Sequence, residues 1–220
     1  VTPKTVAVER IDQKVYMVET AAKRGLLTYL LAEAALNRVI VFTRTKHGAN
    51  KVAEHLEKAG VSSDAIHGNK SQGARQRALD GFRTGQVLVL VATDIAALGI
   101  DVSQISHVIN FDIPNTAEAY THRIGRTGRA AKTGDAFTLV TQEDASMVRT
   151  IEHRLGKKLE NRQLPGFDYG KAPSHDQPAG QPRKFHYHGK RHRSGHQATA
   201  HSSSRSSSQG PNRSQARGHR

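Results

Sequence analysis

The chain has 220 residues, no cysteine, and a formal net charge of +14 that arises from 33 Lys and Arg residues against 19 Asp and Glu residues. Without cysteine it forms no disulfide, thiolate nucleophile or zinc–thiolate site. No apolar run approaches the roughly 18 residues of a membrane span, so we expect a cytoplasmic protein with no membrane contact. The first residue is Val1, which leads us to expect a piece of a longer protein.

Short runs of β-branched and aromatic residues predict the strands. Continuous runs of this kind are typical of strands that are covered on both faces. The runs span residues 39–42, 87–91, 108–111 and 136–140.

Segments with helical spacing separate these runs. Apolar residues recur every three or four positions over residues 22–34 and 52–59, and Gly60 ends the second pattern. Further helices are predicted over residues 72–82, 116–124 and 144–155. Alternating strands and helices predict a three-layer α/β domain with a mainly parallel sheet. In such sheets ligands bind beyond the carboxyl ends of the strands, here in the loops after Phe42, Ile66, Val91 and Phe111.

The C-terminal part of the chain differs in composition. Leu164 is the last leucine, and residues 171–220 contain no Val, Ile, Leu or Met, so this segment cannot bury a core that offsets its chain entropy. The sequence therefore predicts one folded domain over residues 1–164 and a disordered basic tail, rich in Arg, His and Ser, over residues 165–220. We interpret the tail as a polyanion-binding arm or as a solubilising terminus.

The most specific motif spans residues 122–129 and reads HRIGRTGR. Its three arginines recur every third residue, so a helix would place them near one face, although two glycines weaken that helix. Guanidinium groups are permanently charged and offer phosphate a two-pronged hydrogen-bonding fork. The motif predicts an anionic ligand; the alternative is a surface stripe of arginines that pairs with carboxylates.

Three weaker motifs follow other strands. Residues 92–101 read ATDIAALGID, in which Thr93 and Asp94 could cap a short helix with or without an anion at its amides. Residues 42–45 read FTRT, and residues 67–75 read HGNKSQGAR. Hydroxyls, glycine and single cations at several strand ends favour a surface that binds a sugar-phosphate chain.

In this order, the motifs FTRT, HGxxxQxxR, ATDIAAxGID and HRIGRTGR resemble the second RecA-like domain of DEAD-box RNA helicases. The resemblance covers about residues 13–164. Residues 164–169, together with the basic tail, are similar to the bacterial RhlE branch of that family. The resemblance to DEAD-box helicases implies that the chain is the C-terminal half of an ATP-dependent enzyme that locally unwinds short RNA duplexes.

The resemblance also implies roles in binding ATP. Arg126 and Arg129 would reach the γ-phosphate, with Arg129 as the arginine finger. Asp101 would accept a hydrogen bond from the ribose. ATP with Mg²⁺ would be bound mainly by the first RecA-like domain of the same protein.

Further roles follow from the same resemblance. Asp94, His122 and Arg123 would bridge this domain to the first one. RNA would bind through its backbone, with little sequence preference, at Thr43, Arg44, Gly68, Gln72, Arg75 and Thr93. In this arrangement Gln72 would orient Arg75.

Two departures from the family pattern stand out. Leu98 occupies a position where the family usually has arginine. The sequence also lacks a Gly-x-x-x-x-Gly-Lys-Ser/Thr phosphate loop and an Asp-Glu-x-Asp motif. We therefore expect the chain alone to hydrolyse no ATP. The alternative function is a non-catalytic RNA-binding module that acts through the domain surface and the tail.

Overall fold

The computed structural model of the chain describes residues 10–33, 36, 38–97, 100, 105–128 and 133–169. Strands and helices alternate through these residues. The strands are β1 (Ile11–Met17), β2 (Val39–Phe42), β3 (Ser63–Ile66), β4 (Val89–Ala92), β5 (His107–Asn110), β6 (Gly134–Val140) and β7 (Glu160–Asn161). The helices are α1 (Lys23–Glu33), α2 (Lys46–Lys58), α3 (Gln72–Thr84), α4 (Asp94–Ala97), α5 (Ala117–Ile124) and α6 (Ala145–Leu155). Within the described ranges, no helix is both long and apolar enough to cross a membrane.

The strands form one sheet in the order β3-β4-β2-β5-β6-β1-β7, and every neighbouring pair is parallel. In β2, Val39 and Val41 pack in one core with α1 and α2, whereas Ile40 and Phe42 pack in another with α3 and α4. A third core lies between strands β1 and β6 and helices α5 and α6. The predicted three-layer α/β architecture with a parallel sheet is confirmed.

Strand β1 has no counterpart among the predicted elements. It pairs with β6 along its whole length, but Asp12, Gln13 and Lys14 interrupt its apolar pattern. Gln13 is nevertheless buried, and its Oε1 accepts a hydrogen bond from the Tyr120 hydroxyl at 3.1 Å. Lys14 lies 5.5 Å from the centre of the Phe137 ring. Partners from other elements thus bind these polar side chains. The same polar residues break the apolar pattern from which a strand is predicted, so the sequence did not indicate β1.

Hydroxyl side chains begin three of the helices. Thr45, Ser71 and Thr116 each accept a hydrogen bond from the backbone amide three residues later, at 2.9, 3.2 and 3.1 Å. Such caps satisfy amides that have no partner inside the helix. Thr45 and Ser71 belong to the loops that follow β2 and β3, so helices α2 and α3 begin directly at the ends of these loops.

The segment after β7 packs back onto α1. The Tyr29 hydroxyl donates to Pro165 O at 3.0 Å, and the rings of Phe167 and Tyr169 join the core under α1. The Tyr169 hydroxyl accepts a hydrogen bond from Leu164 N at 2.6 Å. The packed chain thus continues to residue 169, beyond the boundary that the sequence predicts at Leu164. Residues 170–220 of the predicted tail lie outside the described residues.

Candidate functional site

The carboxyl ends of the parallel strands meet along one side of the sheet, which we call the carboxyl edge. Thr43 and Arg44 follow β2, Gly68 follows β3, and Thr93 follows β4. Backbone hydrogen bonds join neighbouring loops; for example, Thr43 N donates to Ala92 O at 2.9 Å. The fold therefore gathers the predicted strand-end motifs along this edge.

Arg123 and Asp94 form a two-pronged ion pair, with Nε to Oδ1 at 2.6 Å and Nη2 to Oδ2 at 2.7 Å. The Arg123 side chain is 3% exposed and the Asp94 side chain 49% exposed. Arg123 Nη1 also donates to Asp112 O at 2.7 Å and to Asn110 Oδ1 at 3.2 Å. Its guanidinium lies 5.0 Å from the centre of the Phe42 ring. Arg123 is thus a buried arginine that pairs with a carboxylate, and this one side chain connects α5 to α4, β5 and β2.

Asn110 is a site residue that sequence reasoning missed. Its side chain is completely buried, and Nδ2 donates to Thr138 Oγ1 at 3.1 Å while Oδ1 accepts from Arg123. Buried amides require such partners. The available signal was a polar residue at the end of an otherwise apolar run, which predicts a specific buried partner.

The first three residues of the arginine motif lie in helix α5, and the rest of the motif lies beyond it. Helix α5 ends at Ile124, so Arg126 is not helical, and Gly128 adopts a φ of +68° that favours glycine. The prediction that one helical face carries all three arginines is therefore wrong, because the helix ends before Arg126. Backbone hydrogen bonds from Arg126 N to Arg123 O and from Thr127 N to Ile124 O make the described segment after Ile124 a turn.

Hydrogen bonds fix this loop to the segment that follows α4. Arg126 Nη1 donates to Ile100 O at 3.3 Å. Thr127 is 2% exposed, and its hydroxyl lies 2.7 Å from Ile105 O and 2.9 Å from Ser106 O. Because a hydroxyl has one proton, it donates to one of these carbonyls at a time. The loop is therefore held on both sides of Arg126.

An open cleft of about 160 Å³ lies between α4 and α5. Two arginines, an acid, a histidine and apolar side chains line it, among them Phe42, Asp94, Ile95, His122, Arg123 and Arg126. The Ile95 side chain is 80% exposed, and the His122 side chain is 49% exposed with Nε2 4.0 Å from Glu118 Oε1. No group of His, Asp and Glu side chains that could hold a metal ion occurs in the described ranges. Of the two arginines that line the cleft, Arg123 pairs with Asp94, and Arg126 donates to Ile100 O.

The predicted backbone-binding residues divide into exposed and buried ones. Arg44 and Gln72 are exposed, and Arg75 is half-buried, so these side chains can reach a ligand at the carboxyl edge. Thr43 and Thr93 are 0% and 9% exposed, respectively, so they offer little side-chain surface. Between the described side chains of Gln72 and Arg75 there is no hydrogen bond, and the orienting role of Gln72 stays a prediction.

The loop after β3 is fixed to α2. A Cβ atom at Gly68 would lie 3.6 Å from Lys46 Cε, and Lys46 Nζ donates to Asn69 Oδ1 at 2.7 Å. His67 is buried, with Nε2 2.9 Å from Asn50 Oδ1, and burial lowers the pKa of its ring. Lys46 is thus a cation at this edge that the sequence motifs did not single out.

Comparison with known families decides the identity of this domain. The family described as "Helicase conserved C-terminal domain" matches residues 22–131, from the start of α1 through the arginine motif. The chain belongs to this family.

This helicase domain is similar to the DEAD-box ATP-dependent RNA helicase CshA of Bacillus subtilis, with 43% identity over 168 residues, 76% of this chain and 34% of the relative. For CshA of Geobacillus kaustophilus the identity is also 43%, over 76% of this chain and 36% of the relative. The chain spans about a third of the length of these relatives. Its identification as the C-terminal domain of a DEAD-box helicase is confirmed, and placement in the RhlE branch stays a prediction.

Solved structures confirm the RecA-like fold. The Escherichia coli DEAD-box protein SrmB, solved in complex with regulator of ribonuclease activity A, superposes with a TM-score of 0.67 and 35% identity, over 74% of this chain and 98% of that chain. The C-terminal domain of the DEAD-box protein Dbp5 superposes with a TM-score of 0.65 and 31% identity, over 70% and 91% of the two chains.

Three residues of interest in this helicase domain lie outside the described residues: Leu98, Asp101 and Arg129. The structure describes Ile100, next to Asp101, and Gly128, next to Arg129. The roles of Asp101 and Arg129 stay predictions.

Replacing Thr127 with valine should destabilise this helicase domain by about 1–3 kcal/mol, because a buried carbonyl loses its hydroxyl partner. Thr127→Ser keeps the hydroxyl and should cost less than half as much. Urea unfolding followed by circular dichroism measures both values. A larger destabilisation by Thr127→Ser than by Thr127→Val would show that the methyl group, not the hydroxyl, holds the loop.

Proposed function

We propose that this domain supplies the arginine finger and half of the RNA-binding surface of an ATP-dependent RNA helicase. Arg126 and Arg129 donate hydrogen bonds to the γ-phosphate of ATP, and Asp101 accepts one from the ribose. The first RecA-like domain holds most of the nucleotide and its Mg²⁺. This division agrees with a sequence that has the arginine motif but no phosphate loop.

The observation that carries this proposal is the way the arginine motif is held. Arg123 anchors one end through Asp94 and Asn110, and Thr127 anchors the other through backbone carbonyls. Arg126 lies between these anchors and lines the open cleft. Donors that are fixed before the reaction stabilise the charge of a transferring phosphoryl group without a cost of reorganisation.

Asp94 and His122 are proposed to contact the first domain. Each has about half of its side chain exposed beside the cleft, so each has surface to offer a partner. Arg123 is buried, so its contribution to the interface with the first domain is to hold the Asp94 carboxylate in place through their ion pair.

The RNA backbone is proposed to lie across the loops after β2, β3 and β4. Arg44, which is exposed, and Arg75, which is half-buried, contribute cations, and Gly68 and Gln72 lie on the same edge. Thr43 and Thr93 contribute mainly by holding the shape of their loops, because their side chains are buried. Backbone contacts of this kind carry no base information, so binding has little sequence preference.

ATP turnover by the chain alone and by the chain joined to a DEAD-box first domain tests the proposed function. We expect no phosphate release from the chain alone and RNA-stimulated release from the joined protein. RNA-stimulated release by the chain alone would overturn the division between two domains. RNA binding without any turnover by the joined protein would favour the non-catalytic module.

The basic tail should contribute a salt-sensitive part of the RNA affinity. Residues 165–220 contain 10 Lys and Arg residues and 2 Asp residues. Each phosphate neutralised on a single strand adds about −0.7 to the slope of log K against log salt. Deleting residues 171–220 should therefore flatten this slope, as measured by fluorescence anisotropy with single-stranded RNA. An unchanged slope would leave the tail as a solubilising terminus.

A further inference from the structure

Helix α6 presents a basic outer face that the proposed function does not use. Arg149 and His153 lie one helical turn apart on α6, and Lys157 follows just after the helix end; all three residues are exposed. The opposite side of the helix packs in the core through Ile151 and its neighbours. The basic residues are therefore not required to cover the core.

This face is concave. An open cleft of about 430 Å³ is lined by Arg149, Glu152, His153, Gly156, Lys157 and Lys158. Gly156 ends the helix with a φ of +66°, and the chain then turns so that Lys158 lies over Glu152. The turn thus brings Lys157 and Lys158 beside the last turn of the helix, where both line the cleft.

The acid in this cleft is already neutralised. Glu152 Oε2 accepts from Lys158 Nζ at 2.8 Å, and Oε1 accepts from Leu159 N at 3.0 Å. These hydrogen bonds lower the pKa of Glu152, so it stays ionised and paired. Arg149 also acts electrostatically on Glu152 and helps to lower its pKa, but among the described residues neither Arg149 nor Lys157 lies within 4.0 Å of a carboxylate oxygen, and Lys158 already balances the charge of Glu152. The positive charge of the face is therefore available to an external anion.

The cleft lies apart from the loops that the proposed function assigns to RNA. Helix α6 begins after the carboxyl end of β6 and runs back for 11 residues, about 16 Å, toward the opposite edge. Across the sheet, strand β6 is two positions from β2 and three positions from β4, about 10 and 14 Å. An RNA that contacts both surfaces must extend beyond the carboxyl edge.

We propose that the α6 face is a second phosphate-binding surface, which holds the backbone of the RNA segment that extends beyond the carboxyl-edge loops. Arg149 and Lys157 contact its phosphates, and Glu152 keeps Lys158 at the rim of the cleft. This inference rests on the proposed RNA binding of the domain. RNA is the favoured polyanion because the chain belongs to a helicase family whose relatives act on RNA.

The test uses the full chain and two RNAs, a uridine hexanucleotide and a hairpin with a single-stranded extension. Arg149→Ala with Lys157→Ala should weaken hairpin binding several-fold and reduce the salt slope by about 1.4, for two lost phosphate contacts. Hexanucleotide binding should not change. Fluorescence anisotropy over a salt series measures all of these quantities.

The matched control is Lys58→Ala with Arg83→Ala. These residues also lie near helix ends and are exposed, but each is paired with an acid, Glu54 or Asp80. The control removes the same formal charge and should leave hairpin binding close to that of the parent chain.

Three outcomes would overturn the inference. The double variant could bind the hairpin as tightly as the control variant does, or it could lose equal affinity for the hairpin and for the hexanucleotide. The third outcome is that polyglutamate binds the α6 face and the hairpin does not compete with it there. Lys157→Glu, which lies beyond the helix end, provides a second variant if the double variant does not fold. Failure of the parent chain to bind the hexanucleotide would instead contradict the proposed function, so the two failures are distinguishable.

Discussion

Replacing Arg129 with alanine is expected to lower the ATP turnover number of the joined two-domain protein by about 10³- to 10⁵-fold. The guanidinium balances charge on the phosphoryl group as it is transferred, and alanine leaves that charge uncompensated. RNA affinity should stay within about twofold of the parent value, because no RNA contact is removed. Phosphate release under saturating ATP and RNA measures the effect.

The matched control for this experiment is Arg83→Ala. Arg83 is an exposed arginine in the last turn of α3 that pairs with Asp80 at 3.2 Å and does not line the cleft between α4 and α5. Its replacement should not change turnover. A fall of less than tenfold for Arg129→Ala would remove that residue from the role of finger and leave Arg126 as the candidate.

Replacing Gly134 with alanine should both destabilise the domain and displace the arginine loop. An added Cβ atom would clash with the Thr127 hydroxyl and lie 2.5 Å from Gly128 N. Overpacking against backbone of this kind costs about 3 kcal/mol. In the joined protein, a shift of the loop by about 1 Å should lower turnover about 10²-fold. Urea unfolding and phosphate release measure the two effects.

Gly73→Ala is the control for the glycine experiment. Gly73 lies in α3, and an added Cβ atom would lie 3.6 Å from Arg77 Nη1, the far end of a flexible side chain. Alanine favours a helix over glycine by about 1 kcal/mol, so this variant should be as stable as the parent or more stable. If Gly134→Ala unfolds at the same urea concentration as Gly73→Ala, the loop is not packed as described.

The sequence predicted the parts of the fold where local pattern and tertiary environment agree. Strand β2 spans the predicted residues 39–42, because every position is apolar and buried. Strand β1 escaped prediction because its polar residues are compensated by partners far along the chain, such as Tyr120 for Gln13. Strand β7 is two residues long and exposed, so no periodicity could indicate it.

The candidate site divides in the same way. The motifs identify the arginines and the strand-end loops, because their residue types suit phosphate and their positions follow strands. Residue types and spacing alone do not show which of the arginines is buried. Arg123 is buried because its partners Asp94 and Asn110 are distant in sequence but adjacent at the carboxyl edge. That distinction depends on strand order, which no local pattern encodes.

The binding of ADP with aluminium fluoride, a mimic of the transferring phosphoryl group, tests the central claim most directly. An arginine finger acts mainly on the transition state, so the joined protein should bind this complex far more tightly than ADP alone. Neutralising Arg126 and Arg129 together should abolish that advantage and leave ADP affinity unchanged. Equal preference for the mimic in the parent and in the double variant would contradict the claim that this domain completes the nucleotide site.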